Sequence, residues 1–396
     1  NTVIIMALSG NRCGTQGADL AYTFYEFFAG GGMARSGLGL RWTCLFANDI
    51  DLKKASTYKA NWGDKELIVR DVAKIKTRDL PGEADMAWAS FPCQDLSLAG
   101  AGAGLDGERS GMFWPFWKLI GKLRAEARHP KLVVLENVYG AITSHDGKDF
   151  TAISTALAKE NYRFGAVVID AVHFVPQSRP RLFIIGVRSD AHIPVGISHG
   201  EPNYEWYPQA LIAAHKRLPK SVAKKWIWWK LPMPPARRSA FVDLIEDDPI
   251  GVEWHTLAET RYILDMMSDV NKAKVELAKK SKRRIVGGVY RRTRNGIQRA
   301  EVRFDDVAGC LRTPQGGSSR QTILVIENGK IRSRLLSPRE AARLMGLPDS
   351  YKLPDNYNAA YHIAGDGVVV PVVRHIARNI LEPILMASAM RTRKAA

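Results

Sequence analysis

The segment Phe91-Pro92-Cys93-Gln94 puts a thiol directly after a proline, at the end of the apolar run 86–90. Proline fixes its own φ and restricts the residue before it, so a strand should pass here into a stiff turn that presents the Cys93 sulfur. A thiol in that position is a candidate nucleophile. An unpaired cysteine is also commonly a small buried hydrophobe, and this segment alone leaves both interpretations open.

A glycine turn at 30–32 follows an apolar strand that ends at Phe28, and it opens a helix. Glycines let a ligand approach the backbone, and a helix N-terminus offers unpaired N–H groups. Asp49 follows the second predicted strand, where a carboxylate accepts hydrogen bonds from ribose hydroxyls. Asp71 follows the third. Together they predict a site for a nucleoside cofactor, although the turn by itself is compatible with a plain tight turn.

Glu136 ends the hydrophobic run 131–135, and Arg179 and Arg181 lead into the run 182–187. Open α/β sheets carry their sites at the carboxyl ends of the strands. Burial there raises the pKa of a glutamate, which suits it to donate a proton. Two alternatives stay open, namely that Glu136 is an ion-pairing structural acid and that Arg181 only clamps a phosphate or carboxylate.

Four of these segments resemble, in order and spacing, the signature of DNA (cytosine-5)-methyltransferases. The matching segments are 28–32, 91–94, 136–138 and 177–181. The resemblance implies S-adenosylmethionine as cofactor and double-stranded DNA as substrate. Carbon 5 of cytosine is not nucleophilic in the intact ring, and thiolate addition to carbon 6 makes it enamine-like.

The resemblance, which covers most of residues 22–188 and 336–380, implies a role for each distinctive side chain. Cys93 would be the covalent nucleophile and Glu136 the proton donor at N3. Arg179 would contact the target base, and Arg181 would help to order the catalytic loop. The cofactor would be bound by Phe28, Ala29, Gly30, Gly32, Asp49, Ile50, Asp71, Pro92, Asp366 and Val368.

One position departs from the family, which usually has Gly-Asn-Ser/Ala-Val near its C-terminus. This chain has Gly365-Asp366-Gly367-Val368. The aspartate either attracts the sulfonium of the cofactor more strongly or marks an impaired enzyme. We expect the former, because every other catalytic element is present.

The 396 residues carry 57 Lys and Arg against 40 Asp and Glu, a net charge of +17, which favours a polyanionic partner. The four cysteines are scattered and form no zinc-spaced cluster with histidine, so we expect no metal and a reducing compartment. The apolar run 3–8 is too short for a secretion signal, and no run approaches the ~20 apolar residues of a membrane span. These features predict a cytoplasmic protein, nucleoid-associated if bacterial, that binds no membrane.

Short apolar runs alternate with amphipathic runs from Tyr22 to Arg188, which predicts a mostly parallel sheet covered by helices. The fold class expected from this pattern and the resemblance is α/β, a Rossmann-like S-adenosylmethionine-dependent methyltransferase fold with an inserted small target-recognition domain. The predicted domains are 20–190 (catalytic), 191–335 (DNA-binding) and 336–390 (completing the catalytic domain). Ser337, Pro338 and Glu340 predict the start of a helix in the last of these.

The stretch 272–303 holds 12 Lys and Arg against Glu276 and Glu301, the densest basic stretch in the chain. It predicts a DNA-binding surface, with a solvated helix face as the alternative. The loops 295–299 and 311–317 resemble family loops that enter the grooves, and Gln298 is the candidate that fills the gap left by a flipped base. The predicted DNA-binding residues are Gln94, Ser97, Arg291, Arg292, Arg294, Gln298, Arg299 and Thr313.

Two other functions stay open. One is an RNA (tRNA) cytosine-5-methyltransferase of the same fold, which the long insert disfavours. The other is a catalytically silent DNA-binding regulator, which Cys93, Glu136 and Arg179 disfavour. We further expect a monomer, with a cognate restriction endonuclease as a candidate partner.

Overall fold

The computed structural model describes residues 21–92, 111–202, 205–294, 296–312 and 320–395. Four residues of the predicted site, Cys93, Gln94, Ser97 and Thr313, lie outside these ranges, and Arg294 is described by its backbone alone. The strands are β1 Tyr22–Phe27, β2 Trp42–Asp49, β3 Leu67–Val69, β4 Met86–Ala89, β5 Leu132–Val138, β6 Tyr162–Asp170, β7 Pro180–Arg188, β8 Ser198–His199, β9 Trp228–Trp229, β10 Ile285–Arg294, β11 Ile297–Arg303, β12 Thr322–Glu327 and β13 Lys330–Leu335. The helices are α1 Met33–Leu38, α2 Leu52–Trp62, α3 Phe113–Ala125, α4 Lys148–Lys159, α5 Gln209–Lys216, α6 Lys220–Ala223, α7 Leu257–Asp265, α8 Asp269–Lys279, α9 Pro338–Leu344, α10 Tyr357–Asp366, α11 Val370–Ile376 and α12 Glu382–Ala395.

Seven strands form the large sheet in the order β3-β2-β1-β4-β5-β7-β6. The first five of these are parallel, whereas β7 pairs antiparallel with both β5 and β6. The chain winds outward from β1 through β2 to β3 and then returns to place β4 on the other side of β1. Ligands of open α/β sheets bind where the strand order reverses in this way, beyond the carboxyl ends of the two central strands. The predicted α/β class with its mostly parallel sheet is confirmed.

The C-terminal helices complete the core of the large sheet. Ser337 caps α9 in a capping box with Glu340, as the sequence predicts. The helix expected over 370–385 is instead divided by a π-helical turn at Ala377–Leu381 between α11 and α12. Helix α11 packs closely on α1, where a Cβ on Gly37 would lie 2.5 Å from the Cβ of Val373.

A second, antiparallel sheet has the order β11-β10-β12-β13. One of its faces packs with α7 and α8 around a small core that includes Ile263, Val275, Val289 and Leu324. Residues between 206 and 245, which precede α7, instead bury apolar side chains in the core of the large sheet. The division of the chain into domains at 191 and 336 stays a prediction.

No helix within the described ranges is both long enough and apolar enough to cross a membrane. The same ranges contain no group of three or more His, Cys, Asp and Glu side chains placed to hold a metal ion.

Candidate active site

A cavity of about 520 Å³ opens beyond the carboxyl ends of β1, β4 and β5. Its wall combines the glycine turn, the start of α2, the segment 90–92, the end of β5 and the C-terminal end of α10. The structure therefore brings together most of the predicted cofactor and catalytic residues that it describes. Those that line the cavity are Phe28, Ala29, Gly30, Asp49, Ile50, Pro92, Glu136, Arg179, Arg181, Asp366 and Val368.

The glycine turn is held in shape by Asp49 at the end of β2. One carboxylate oxygen of Asp49 accepts a hydrogen bond from the Gly30 amide at 2.8 Å, and the other accepts from the Asp51 amide at 2.8 Å. Gly30 has φ +55°, a conformation that favours glycine. The acid that the sequence assigns to ribose thus also fixes the turn beside it, and its contact with ribose stays a prediction.

Two predicted cofactor residues do not line the cavity. A Cβ on Gly32 would lie 2.4 Å from Nε1 of Trp62, so this glycine permits close packing of α2 instead. Asp71 accepts a hydrogen bond from the Ala73 amide at 2.9 Å and caps a short helical turn. The part of each in cofactor binding stays a prediction.

Glu136 is 6% exposed at the end of β5 and lines the cavity. Burial raises the pKa of its carboxyl group, while the charges of Arg181 and Arg179 oppose the rise. Arg181 forms the nearest ion pair, with its Nε 3.4 Å from Oε1. The pKa shift has the direction expected of a proton donor.

Asn137, next along β5, holds the segment that leads to Cys93. Its side-chain amide donates to the Phe91 carbonyl at 3.1 Å, and the side chain is buried. The turn at Phe91-Pro92 is therefore fixed against the strand that carries Glu136. Sequence analysis gave this asparagine no role, although it lies inside the Glu136-Asn137-Val138 segment.

Arg179 is 1% exposed and joins three segments of the chain. Its two terminal nitrogens donate to the carbonyls of Leu311, Gly365 and Gly367 at 2.7 to 2.9 Å. Burial lowers the pKa of Arg179 to about 10, and the nearby charge of Arg181 acts in the same direction. Its Nε has no hydrogen-bond partner within the described ranges. That remaining donor is compatible with the predicted contact to a base, which stays a prediction.

Asp366 has a partner that sequence analysis missed. Lys54 Nζ on α2 lies 2.7 Å from Asp366 Oδ2, and both side chains line the cavity. Asp366 raises the pKa of Lys54 against the opposing effect of burial. An acid in place of a neutral amide favours a cation nearby, but the sequence alone does not indicate that Lys54 supplies it.

A second cavity of about 820 Å³ lies between the large sheet and the small one. It shares four lining residues with the first cavity, Val138, Arg181, Gly365 and Asp366. Its other lining residues include four cations, Lys274, Arg292, Arg303 and Arg312, of which sequence analysis singled out Arg292 alone. The cleft is thus wide, cationic and open to the first cavity, as binding of a polyanion requires.

The register of the β10–β11 hairpin sorts the predicted DNA-binding residues between its two faces. Arg292 pairs with Arg299, and Arg291 pairs with Ala300, which is buried in the small core. Because side chains alternate along a strand, Arg292 and Arg299 lie on the cleft face and Arg291 on the helix face. Gln298 shares the face of Arg291, so the structure does not bring it into the cleft.

Comparison with known proteins gives the same assignment along most of the chain. A family model described as C-5 cytosine-specific DNA methylase matches residues 22–382. Type II methyltransferase M.BsuFI of Bacillus subtilis is 26% identical over 389 residues, which cover 98% of this chain and 79% of that protein. Type II methyltransferase M.HhaI of Haemophilus parahaemolyticus is 26% identical over 360 residues, covering 90% of this chain and 93% of that protein.

Solved structures share the architecture. A DNMT2 variant from Spodoptera frugiperda aligns with a TM-score of 0.58 at 16% identity, over 91% of this chain and 99% of that chain. The Entamoeba histolytica methyltransferase EhMeth aligns with a TM-score of 0.56 at 15% identity, over 91% and 98% of the two chains. At these identities the likeness shows a common fold.

Proposed function

Because this chain belongs to the C-5 cytosine-specific DNA methylase family, we propose that it methylates carbon 5 of cytosine in a specific sequence of duplex DNA. The methyl donor in this proposal is S-adenosylmethionine. The observation that carries the proposal is the continuity of the two cavities, which join the glycine turn to Glu136 and open into a cationic cleft.

The residues around the first cavity fit S-adenosylmethionine, a nucleoside with a cationic end. Gly30 exposes backbone, and Asp49 stands at the end of β2, where ribose hydroxyls bind in such sheets. Glu26 also lines the cavity, and its buried Oε2 has no hydrogen-bond partner among the described residues. An unpartnered carboxyl oxygen can accept a hydrogen bond from a donor group of the cofactor. When bound, S-adenosylmethionine would supply an electrophilic methyl group.

The chain's own residues would activate the base. The Cys93 thiolate would form a bond to carbon 6, and Glu136 would give its proton to N3, so that carbon 5 becomes nucleophilic. After methylation, carbon 5 would lose its proton to solvent water, the bond between the Cys93 sulfur and carbon 6 would break to release the thiolate, and N3 would return its proton to Glu136, so that the aromatic ring is restored. Arg181, beside Glu136, would keep the carboxyl group oriented.

A cytosine within a duplex is out of reach of such a site, so the base must be flipped out of the helix. Unstacking costs a few kcal/mol, which phosphate contacts with the cationic cleft offset. Arg292, Arg303 and Lys274 in the cleft wall are suited to these contacts.

The relatives named above are type II methyltransferases, and we infer that this chain is the modification enzyme of a restriction–modification system. A partner endonuclease, a monomeric state and a cytoplasmic location stay predictions.

Covalent trapping tests the proposal. The protein is mixed with S-adenosylmethionine and either duplex DNA or structured RNA that carries 5-fluorocytosine, which blocks release of the base. A denaturation-resistant adduct with DNA, absent for Cys93→Ser, is the expected result. An adduct with RNA alone would show that the substrate is RNA and not DNA. If the protein binds S-adenosylmethionine but forms no adduct with either polymer, the result would favour a DNA-binding protein without catalytic activity.

A further inference from the structure

The segment 206–242 contains eight Lys and Arg and not one Asp or Glu. The denser basic stretch at 272–303 contains two acids, Glu276 and Glu301. That stretch is partly neutralised in the structure, where ion pairs join Lys279 to Glu276, Arg284 to Asp247 and Arg303 to Asp305. Acidic side chains therefore neutralise less of the positive charge in the segment 206–242 than in the stretch 272–303.

Three lysines of this segment form what we call the α5–α6 basic patch: Lys216, Lys220 and Lys224. Lys216 ends α5, Lys220 begins α6 and Lys224 directly follows α6, and all three are exposed. In the described part of the chain no carboxylate forms an ion pair with any of them. Exposed ammonium groups without a carboxylate partner raise the local positive potential and attract a polyanion.

The patch is carried on a firmly held support. The Ile227 amide donates to the Phe164 carbonyl at 2.7 Å, and the Phe164 amide donates to the Lys225 carbonyl at 2.9 Å. Within the segment, Trp206 and Trp229 are buried, and their packing ties the segment to the β6 edge of the large sheet. The lysines thus keep a fixed position relative to the catalytic cavity, which a flexible basic tail would not.

The patch also adjoins the cationic cleft. Helix α5 packs against the helical turn Tyr139–Ile142, and Tyr139 and Gly140 in that turn line the cleft. A helix of eight residues is about 12 Å long, so the patch begins within roughly that distance of this packing site. A duplex seated in the cleft and continuing past Tyr139 would carry a phosphate charge about every 1.7 Å along its axis.

We propose that the α5–α6 basic patch binds phosphates of duplex DNA outside the recognition cleft, on one flank of the target site. The proposal rests on the proposed function, since it takes duplex DNA as the substrate. It assigns to the segment before α7 a contribution to affinity that does not depend on base sequence, because lysines bind phosphates as point charges.

The test compares two duplexes that contain the same target cytosine. The short one just suffices for methylation, and the long one is extended by ten base pairs on each side. The tested variant is Lys216→Gln/Lys220→Gln/Lys224→Gln. The matched control is Lys59→Gln/Lys65→Gln/Lys74→Gln, which removes the same charge from exposed lysines at the opposite, β3 edge of the sheet.

Wild type should bind the long duplex more tightly than the short one, and the patch variant should lack this advantage. Its log-log salt slope on the long duplex should become shallower by about 0.9 for each phosphate that the lysines no longer neutralise. Methylation and binding of the short duplex should stay as in wild type, and the control should keep the long-duplex advantage.

Three results would overturn the inference: an unchanged slope for the patch variant, an equal weakening in the control, or an equal weakening on the short duplex. Weaker binding of structured RNA of matched length, with binding of the long DNA unchanged, would assign the patch to RNA instead. Failure of wild type to methylate duplex DNA of any length would count against the proposed function, which keeps the two failures apart.

Discussion

Lys54 Nζ and Asp366 Oδ2 lie 2.7 Å apart in the wall of the first cavity, the proposed cofactor site, and they join the start of α2 to the end of α10. The side chains are 24% and 40% exposed, so solvent screens the pair in part. The aspartate that replaces the family's usual asparagine is therefore already matched by a cation. The affinity of the cavity for a positively charged cofactor therefore depends on Lys54 and Asp366 together.

Replacing Asp366 should shift the choice between the cofactor and its product. Asp366→Asn leaves the Lys54 ammonium without its partner near the expected place of the sulfonium, so the positive cofactor should bind less well. The neutral product S-adenosylhomocysteine should bind about as before. We expect the ratio of the two dissociation constants, measured by calorimetry, to move roughly two- to fivefold against S-adenosylmethionine, a range typical of exposed pairs.

The double variant Lys54→Met/Asp366→Asn supplies the control, since it removes both charges and should return the ratio close to that of wild type. A ratio unmoved in the single variant would mean that the pair lies away from the sulfonium. An inactive wild type that Asp366→Asn revives would instead show that the aspartate impairs the enzyme.

Cys93→Ser should abolish methyl transfer while leaving the affinity for S-adenosylmethionine nearly intact. An alcohol is a far weaker nucleophile than a thiol at neutral pH. Cofactor affinity is measured by calorimetry and methyl transfer with tritium-labelled cofactor. Methylation at near wild-type rates would refute the assignment of Cys93 as nucleophile.

Glu136→Gln should slow single-turnover methylation by roughly 10² or more, the usual contribution of general acid catalysis, without weakening DNA binding. Burial raises the pKa of Glu136, and the protonated acid is lost as the pH rises through that value. The wild-type rate should therefore carry a limb that falls with rising pH, and the variant should lack it. An unchanged single-turnover rate would place the proton donor elsewhere.

Local patterns predicted the centre of the site. The glycine turn, Asp49 and Glu136 each lie at the carboxyl end of a strand that the apolar pattern predicts. The parallel sheet brings those strand ends to one edge. The contribution of Lys54 was beyond this reasoning, because its ion pair with Asp366 depends on how the C-terminal helices pack on α2. Sequence patterns report periodicity within an element and say little about which distant elements meet.

The hairpin residues show a second limit. The charge run 272–303 was visible, but which of its arginines face the cleft depends on the register of β10 and β11. A shift of one residue would exchange the faces of Arg291 and Arg292. The predicted DNA-binding domain 191–335 includes the segment 206–245, and the sequence did not indicate that Trp206 and Trp229 in this segment are buried in the core of the large sheet.

The register of β10 and β11 allows arginines on the two faces of the hairpin to be compared in DNA binding. Arg292→Gln and Arg299→Gln, on the cleft face, should each weaken binding and reduce the log-log salt slope by about 0.9 if each arginine neutralises one phosphate. Arg291→Gln has the same chemistry on the opposite face and should leave the slope nearly unchanged. Fluorescence anisotropy with labelled duplex at several salt concentrations measures all three. Equal effects at 291 and 292 would show that the two faces are not distinguished.

Glu26 should make the stability of the fold depend on pH. Its side chain is buried in the wall of the cofactor cavity, and burial raises its pKa to about 8 from the ordinary value of 4.5. Between these values the folded protein keeps a proton that the unfolded chain releases. The stability from this group is therefore complete below pH 4.5 and declines as the pH rises towards 8, by about 1.4 kcal/mol for each unit of pKa difference and thus by a few kcal/mol at most.

Glu26→Gln keeps the shape of the side chain and cannot ionise. The free energy of unfolding of the variant minus that of wild type, from urea titrations, should therefore grow in the variant's favour between pH 5 and 8.5. Glu253→Gln, at an exposed glutamate, provides the control and should give a nearly constant difference over the same range. A constant difference for Glu26→Gln as well would mean that the carboxyl group ionises in the fold near its ordinary pKa, with solvent or a cation reaching it through the cavity.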